Sequence, residues 1–120
     1  MSEQLTPRII DFLTDFVNND SRNILTDFKA IRIFDSPLVT FASAHDLLFE
    51  KLKDPEVVGP NHLSPEEWLP EAKSVISFFL PLSEEIRKSN RVPGLPSVKW
   101  MSGKFDGQSF NSLVQVNLLN

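Results

Sequence analysis

Apolar residues recur at helical spacing near the start of the chain, where Ile9, Ile10, Leu13, Phe16 and Val17 share one stripe. Thr6-Pro7 reads as a hydroxyl cap followed by proline at the first helical position, where its missing N–H costs nothing. Asn18-Asn19-Asp20-Ser21 ends this predicted amphipathic helix. Residues 23–35 fit two templates. Ile24, Phe28 and Ile31 suit a helix, whereas Ile31 and Ile33 ahead of Asp35-Ser36-Pro37 suit an extended approach to a strand. We read the segment as an irregular connection. Residues 37–44 form the first predicted strand, with Val39, Phe41 and Ser43 on one side and Leu38, Thr40 and Ala42 on the other. The small residues Ala42-Ser43-Ala44 suit close packing against a helix, or else the approach of a ligand. Asp46 then caps a predicted helix carrying Leu47, Leu48, Phe49 and Leu52, which Asp54-Pro55 terminates.

The second half repeats the alternation of helix and strand. Ser64-Pro65-Glu66-Glu67 is a helix start, with Ser64 as cap, Pro65 in the first turn and Glu67 placed to complete a capping box. Residues 74–80 are β-branched and aromatic, and nearly apolar on both faces, which predicts a strand covered on both sides. Pro81 ends its ladder because proline has no N–H to donate. Ser83 is placed to cap a short helix through Lys88, and Val92-Pro93-Gly94-Leu95-Pro96 is a loop. In the last segment, Gly103 and Gly107 weaken a helix by about 1 kcal/mol each relative to alanine. Leu113, Val114, Val116, Leu118 and Leu119 then either pack back onto the sheet or meet another subunit. The pattern predicts a single α/β domain over residues 1–120, with α+β as the alternative. Its small central sheet includes strands near 37–44 and 74–80, with helices packed on it.

Composition narrows the class. With 41% hydrophobic and 23% charged residues in 120, the chain can bury a core. Ten phenylalanines without a tyrosine suit core packing better than a hydrogen-bonding surface. The net charge is −4 and the twelve Lys and Arg are scattered, which disfavours duplex nucleic acid. The densest basic stretch, Arg87-Lys88-Ser89-Asn90-Arg91, reads as a solvated helix end or a weak contact for an anionic cofactor. No cysteine is present, so the chain has no disulfide, thiolate metal site or iron–sulfur ligand of its own. Acidic residues near the N-terminus and the lack of a long apolar run predict a cytoplasmic, soluble protein with no membrane association.

Reactive constellations are sparse. His45-Asp46 stands at the end of a predicted strand, where α/β sites collect, but Asp46 as helix cap and His45 as an exposed loop residue are the stronger account of the pair. His62 lies in a loop seventeen residues on, with no fixed third ligand, so no metal site is expected. Glu66-Glu67 and Glu84-Glu85 fall in first helical turns, where the helix dipole favours negative charge. No strained Gly-x-Ser-x-Gly turn and no Gly-rich phosphate loop occurs. Trp68 and Trp100 fall within apolar helical patterns and read as anchors. No catalytic set emerges.

One resemblance does. Pro60-Asn61-His62-Leu63, then the run from Glu67-Trp68-Leu69-Pro70 through Ala72-Lys73-Ser74-Val75-Ile76, resembles an element of epoxyqueuosine reductase-like iron–sulfur proteins. Phe78-Phe79-Leu80-Pro81-Leu82, Ile86 and Ser89-Asn90 continue it, and Phe41-Ala42-Ser43-Ala44-His45-Asp46 is similar to the strand-to-helix junction upstream, with Leu47 where proline is usual. Ser97 and Trp100 match the opening of the next helix. The resemblance covers about residues 37–100. It implies an N-terminal α/β domain that, in the family, precedes a ferredoxin-like half holding 4Fe–4S clusters, and in better-known members works with cobalamin on a modified tRNA base. The cluster ligands are missing here, and no catalytic acid can be carried over. The resemblance therefore implies a ligand- or partner-binding domain without stand-alone catalysis. A corrinoid or other planar ligand would sit near His45, Asp46, His62, Ser89 and Asn90. The rivals are a homo-oligomeric interaction module, associating through the apolar segment at Leu113–Leu119, and a structural remnant.

Overall fold

The N-terminal periodicity produces a helix: in the computed structural model of the chain, which describes residues 5–119, α1 runs Leu5–Asn19. Leu13 and Val17 are buried, Ile9 and Phe16 half-buried, and Thr6 lies within the helix rather than capping it. The remaining elements are β1 (Leu38–Ser43), α2 (Leu48–Lys51), α3 (Pro65–Trp68), β2 (Ser74–Phe79), α4 (Glu84–Ser89) and α5 (Val98–Leu119). The two strands pair antiparallel, so the fold is a mixed α/β one with its small sheet where the alternation places it. The chain divides into two compact units, one of Val39–Phe78 and one built from residues 5–38 together with 79–119.

The discontinuous unit holds nearly all of the buried apolar side chains, and most of them come from three places. Leu13 and Val17 come from α1, Leu25, Ile31, Ile33 and Phe34 from the irregular connection, and Phe110 and Val114 from α5. The connection carries no regular ladder, but two isolated antiparallel bridges, Ile24 with Arg32 and Phe34 with Leu82. Its backbone needs partners from elsewhere, because a buried N–H or C=O left alone costs about 1–3 kcal/mol. Asn23, 2% exposed, supplies several of them. Its side-chain NH₂ donates to Val17 O at 2.8 Å and to Phe34 O at 3.0 Å, while its Oδ1 accepts from the Phe34 N–H at 2.9 Å. The Ile33 N–H donates to Asn23 O at 3.2 Å. Phe34 is thus fixed where its ring meets Phe110 at 6.1 Å, and Phe110 in turn meets Phe16 at 5.8 Å. The phenylalanine set as a whole is less central than its composition suggests, since Phe12, Phe79 and Phe105 are exposed.

Helix α4 is capped differently from expectation. Ser83 makes no side-chain cap, and its buried Oγ has no hydrogen-bond partner. The Glu84 N–H donates instead to Asp35 Oδ2 at 3.1 Å, on which Arg87 Nη2 also converges at 3.4 Å. Ser97 caps α5, accepting the Trp100 N–H on its Oγ at 3.0 Å. α5 is continuous for 22 residues through both glycines, because they serve packing. A Cβ on Gly107 would stand 2.8 Å from Phe34 Cζ, and one on Gly103 would stand 3.2 Å from Ile86 Cδ1. The helix gives up propensity at these points and gains close approach to its neighbours.

In the Val39–Phe78 unit the Ala44 N–H donates to Lys73 O at 3.0 Å beyond the end of β1. Val39 and Phe41 are half-buried while Thr40 and Ala42 face solvent, as the alternation predicts. β2 is not covered on both faces. Val75, Ile76 and Phe78 are half-buried, Ser77 is exposed, and the strand has a single sheet neighbour. An apolar run reports strand propensity, not the number of neighbours. The predicted helix after Asp46 shortens to the single turn of α2, with Leu47 80% exposed just before it. Ala44 is the one buried apolar residue that this unit contributes among the described residues.

Asn23→Ala should lower unfolding stability by about 3 kcal/mol or more, since it strands two carbonyls and one N–H. Asn23→Asp should be no better, because a carboxylate would face the carbonyls of Val17 and Phe34; urea unfolding of the three proteins measures this. Gly107→Ala should be net destabilising, as overpacking of about 1–3 kcal/mol against Phe34 outweighs about 1 kcal/mol of helix propensity. Gly103→Ala meets the movable end of Ile86, and its unfolding midpoint should stay close to that of the parent.

Candidate functional site

The five residues singled out by sequence divide between the units: His45, Asp46 and His62 lie in Val39–Phe78, and Ser89 and Asn90 in the discontinuous unit. Asp46 Oδ1 accepts the Leu48 N–H at 2.9 Å, the turn-forming role expected of an aspartate before a helix. The His45 N–H donates to Ser43 Oγ at 3.1 Å, which ties the end of β1 to the turn that follows. His62 is half-buried, and its backbone N–H closes a turn onto Gly59 O at 3.1 Å. Ser89 Oγ lies 2.6 Å from Ile86 O and 2.8 Å from Ser97 Oγ, and Asn90 Oδ1 accepts the Ser97 N–H at 2.9 Å. These two side chains therefore brace the connection between α4 and α5.

One side-chain pairing falls outside what sequence spacing could show. His45 Nδ1 sits 2.6 Å from Glu66 Oε1, although the two are 21 residues apart. A carboxylate on Nδ1 fixes the imidazole's orientation, the arrangement that prepares a histidine to act as a base through its other nitrogen. Here both side chains are largely in water, and the nearby Ser43 hydroxyl is occupied in accepting the His45 backbone N–H. An exposed pair of this kind is worth about 0–1 kcal/mol. It is a tether between the end of β1 and α3.

The capping box of α3 forms as the sequence predicts. Ser64 Oγ accepts the Glu67 N–H at 3.4 Å, and the Ser64 N–H donates to Glu67 Oε1 at 3.0 Å. What spacing did not foretell is that Lys53 also pairs with Glu67. The Lys53 ammonium, then the Ser64 N–H, hold the Glu67 carboxyl down from the usual 4.5 to about 2. Glu67 is in turn the main cause of the raised pKa of Lys53. Trp68, expected as an anchor beside this box, is 75% exposed. A four-residue helix has too few turns to bury one side while keeping its cap toward Lys53.

Two cavities lie in the discontinuous unit. One of about 380 Å³ is lined by Leu5, Arg8, Ile9, Phe12, Asn117 and Leu118. A smaller one of about 240 Å³ lies over Phe110, with Arg22 and Asp106 at its polar side. Neither includes any of the five residues. Among the described residues no group of three His, Asp or Glu side chains could hold a metal ion, and the chain has no thiolate for an iron–sulfur cluster. No helix among them is long and apolar enough to cross a membrane. Comparisons with family models, with curated proteins and with solved structures find no match to this chain.

Acid stability should report the box. The unfolded Glu67 takes up its proton near pH 4.5 and the folded one only near pH 2, so its contribution is complete above about 4.5 and is lost as pH falls toward 2. Asp20, held at about 2 by Arg22, loses its contribution below its usual 3.8 in the same sense. Thermal midpoints measured from pH 7 to 2 should therefore fall across this window. Glu67→Gln should start lower and fall less steeply, leaving the Asp20 share.

Proposed function

We propose that this chain is a cytoplasmic binding domain of redox-protein type, resembling the N-terminal part of epoxyqueuosine reductase-like iron–sulfur proteins. It acts by presenting apolar surface to other protein rather than by catalysis through its own side chains. The observation that carries this reading is the composition of the Val39–Phe78 unit. That unit contains much of the resemblance, yet Ala44 is its one buried apolar side chain, and Leu63, Trp68 and Leu69 stand exposed. Burying a large apolar side chain is worth about 1.5–3 kcal/mol, so three such residues are a substantial reserve of binding energy. A segment of about 40 residues is also too small to close a core of its own.

The polar candidates support the same reading. Asp46, Ser89 and Asn90 are engaged in turns and caps, and His45 is tethered to Glu66. An iron–sulfur cluster requires ligands that these 120 residues lack, so a cluster of that family would be held by residues outside them. Neither of the two cavities described above is lined by any of the five residues.

The reading is tested on the purified chain with two probes side by side. Hydroxocobalamin, titrated anaerobically, should leave its visible spectrum unchanged. The dye 8-anilinonaphthalene-1-sulfonate should bind with increased fluorescence, and a Trp68→Ser/Leu69→Ser variant of unchanged circular dichroism should lose much of that signal. A stoichiometric shift of the corrinoid spectrum would replace partner binding with ligand binding. Dye fluorescence unaffected by the double substitution would remove the surface on which the proposal rests.

A further inference from the structure

Helix α5 carries two apolar stripes on opposite sides. Gly103, Gly107, Phe110 and Val114 form the buried one. At 3.6 residues per turn, Val98, Met101, Phe105, Ser109, Ser112, Val116 and Leu119 fall within about 80° of one another on the other side. Every one of these seven is exposed, Phe105 by 62% and Leu119 by 87%. A surface helix ordinarily keeps its outer face polar, and a helix apolar on two sides is one that is covered on both. The C-terminal apolar cluster thus divides: Val114 packs inward, while Val116 and Leu119 point away.

We propose that this outer stripe is covered by a second copy of the chain, α5 packing antiparallel on α5 about a two-fold axis through the midpoint between Gln108 and Ser109. The stripe is symmetric about that point. Antiparallel pairing sets Val98 against Leu119 of the other copy, Met101 against Val116, and Phe105 against Ser112, with Gln108 and Ser109 meeting at the axis. Each contact occurs twice, as an isologous interface requires. The central pair alternates large with small, so each Phe105 ring has room over a serine. The Ser112 hydroxyl already donates to Gln108 O of its own helix at 3.2 Å, so covering it strands no donor.

Charge permits the pairing as well. The stripe contains no charged residue, and the three charged residues of α5 are engaged within their own unit. Lys99 pairs with Glu85 at 3.8 Å, Lys104 lies 5.9 Å from the centre of the Trp100 ring, and Asp106 accepts the Thr26 N–H at 2.9 Å. Two copies therefore bring no like charges face to face. The helix is about 33 Å long and about 10 Å wide, a footprint of roughly 350 Å² per copy. That is less than half of the roughly 800 Å² of a standard interface, so the dimer is a weak one.

Sedimentation equilibrium of the full chain from about 10 µM to about 1 mM should show a reversible monomer–dimer equilibrium, shifted at least tenfold toward monomer by Phe105→Glu. The cysteine-free chain also allows orientation to be read directly. With a short bis-maleimide, Ser109→Cys should cross-link to itself. Val98→Cys should not, because two such positions lie about 32 Å apart across the axis, yet it should cross-link to Leu119→Cys when the two are mixed. Val98→Cys dimers would mean parallel packing and overturn the proposal. So would a chain that stays monomeric throughout, which would leave the stripe to a different protein.

Discussion

The carboxamide of Asn23 both donates and accepts, joining two separate pieces of backbone at Val17 and Phe34, and the discontinuous unit is organised around it. The segment after α1 turns back without a ladder, yet it must bury Leu25, Ile31, Ile33 and Phe34. Apolar side chains can be buried only if the peptide groups that carry them are satisfied. An amide does this for both ends of the connection at once, through Val17 O on one side and the N–H and O of Phe34 on the other. A hydroxyl would lack the second donor and a carboxylate would lack both.

What Asn23 fixes, α5 reads. Phe34 is positioned closely enough that only a glycine fits opposite its ring tip, and Phe110 fills the space one turn farther along. The aromatic contacts add about 0.5–1.5 kcal/mol per pair beyond area burial, but only in the geometry that a fixed backbone provides. The order of dependence therefore runs from a hydrogen-bonded side chain to a ring, and from the ring to a helix. The same helix is left with a second apolar side that its own unit does not use.

Local features were legible in the sequence. The capping box at Ser64–Glu67, the alternation in β1 and the stripe of α1 involve residues within a turn or a strand of each other, where spacing alone decides who meets whom. Partnerships across the chain were not. Asp35 caps α4 from 49 residues away, and His45 finds Glu66 from 21, because topology rather than spacing brought them together. The connection at residues 23–35 stayed ambiguous since its order comes from the Asn23 side chain and from turns and isolated bridges, not from periodicity. Gly103 and Gly107 read as helix weakeners, as propensity counts only the helix itself and not the neighbours that need the space. The site residues were individually visible, but the division of the chain that separates His45 from Ser89 leaves no trace in composition.

The placement of residues 39–78 between the two halves of the other unit also governs the order in which the fold can be assembled. During synthesis Asn23 can fasten the α1 connection early, but Leu82, Ser83 and Gly107 reach Phe34 and Ile33 only after the whole intervening segment has emerged. Closing the longer loop is cheap at equilibrium, about 0.6 kcal/mol for each doubling of length. The delay is another matter, because Phe34 waits in water until its cover has been translated. Vectorial folding on the ribosome thus exposes the aromatic centre of this fold for the time taken to make about 70 further residues.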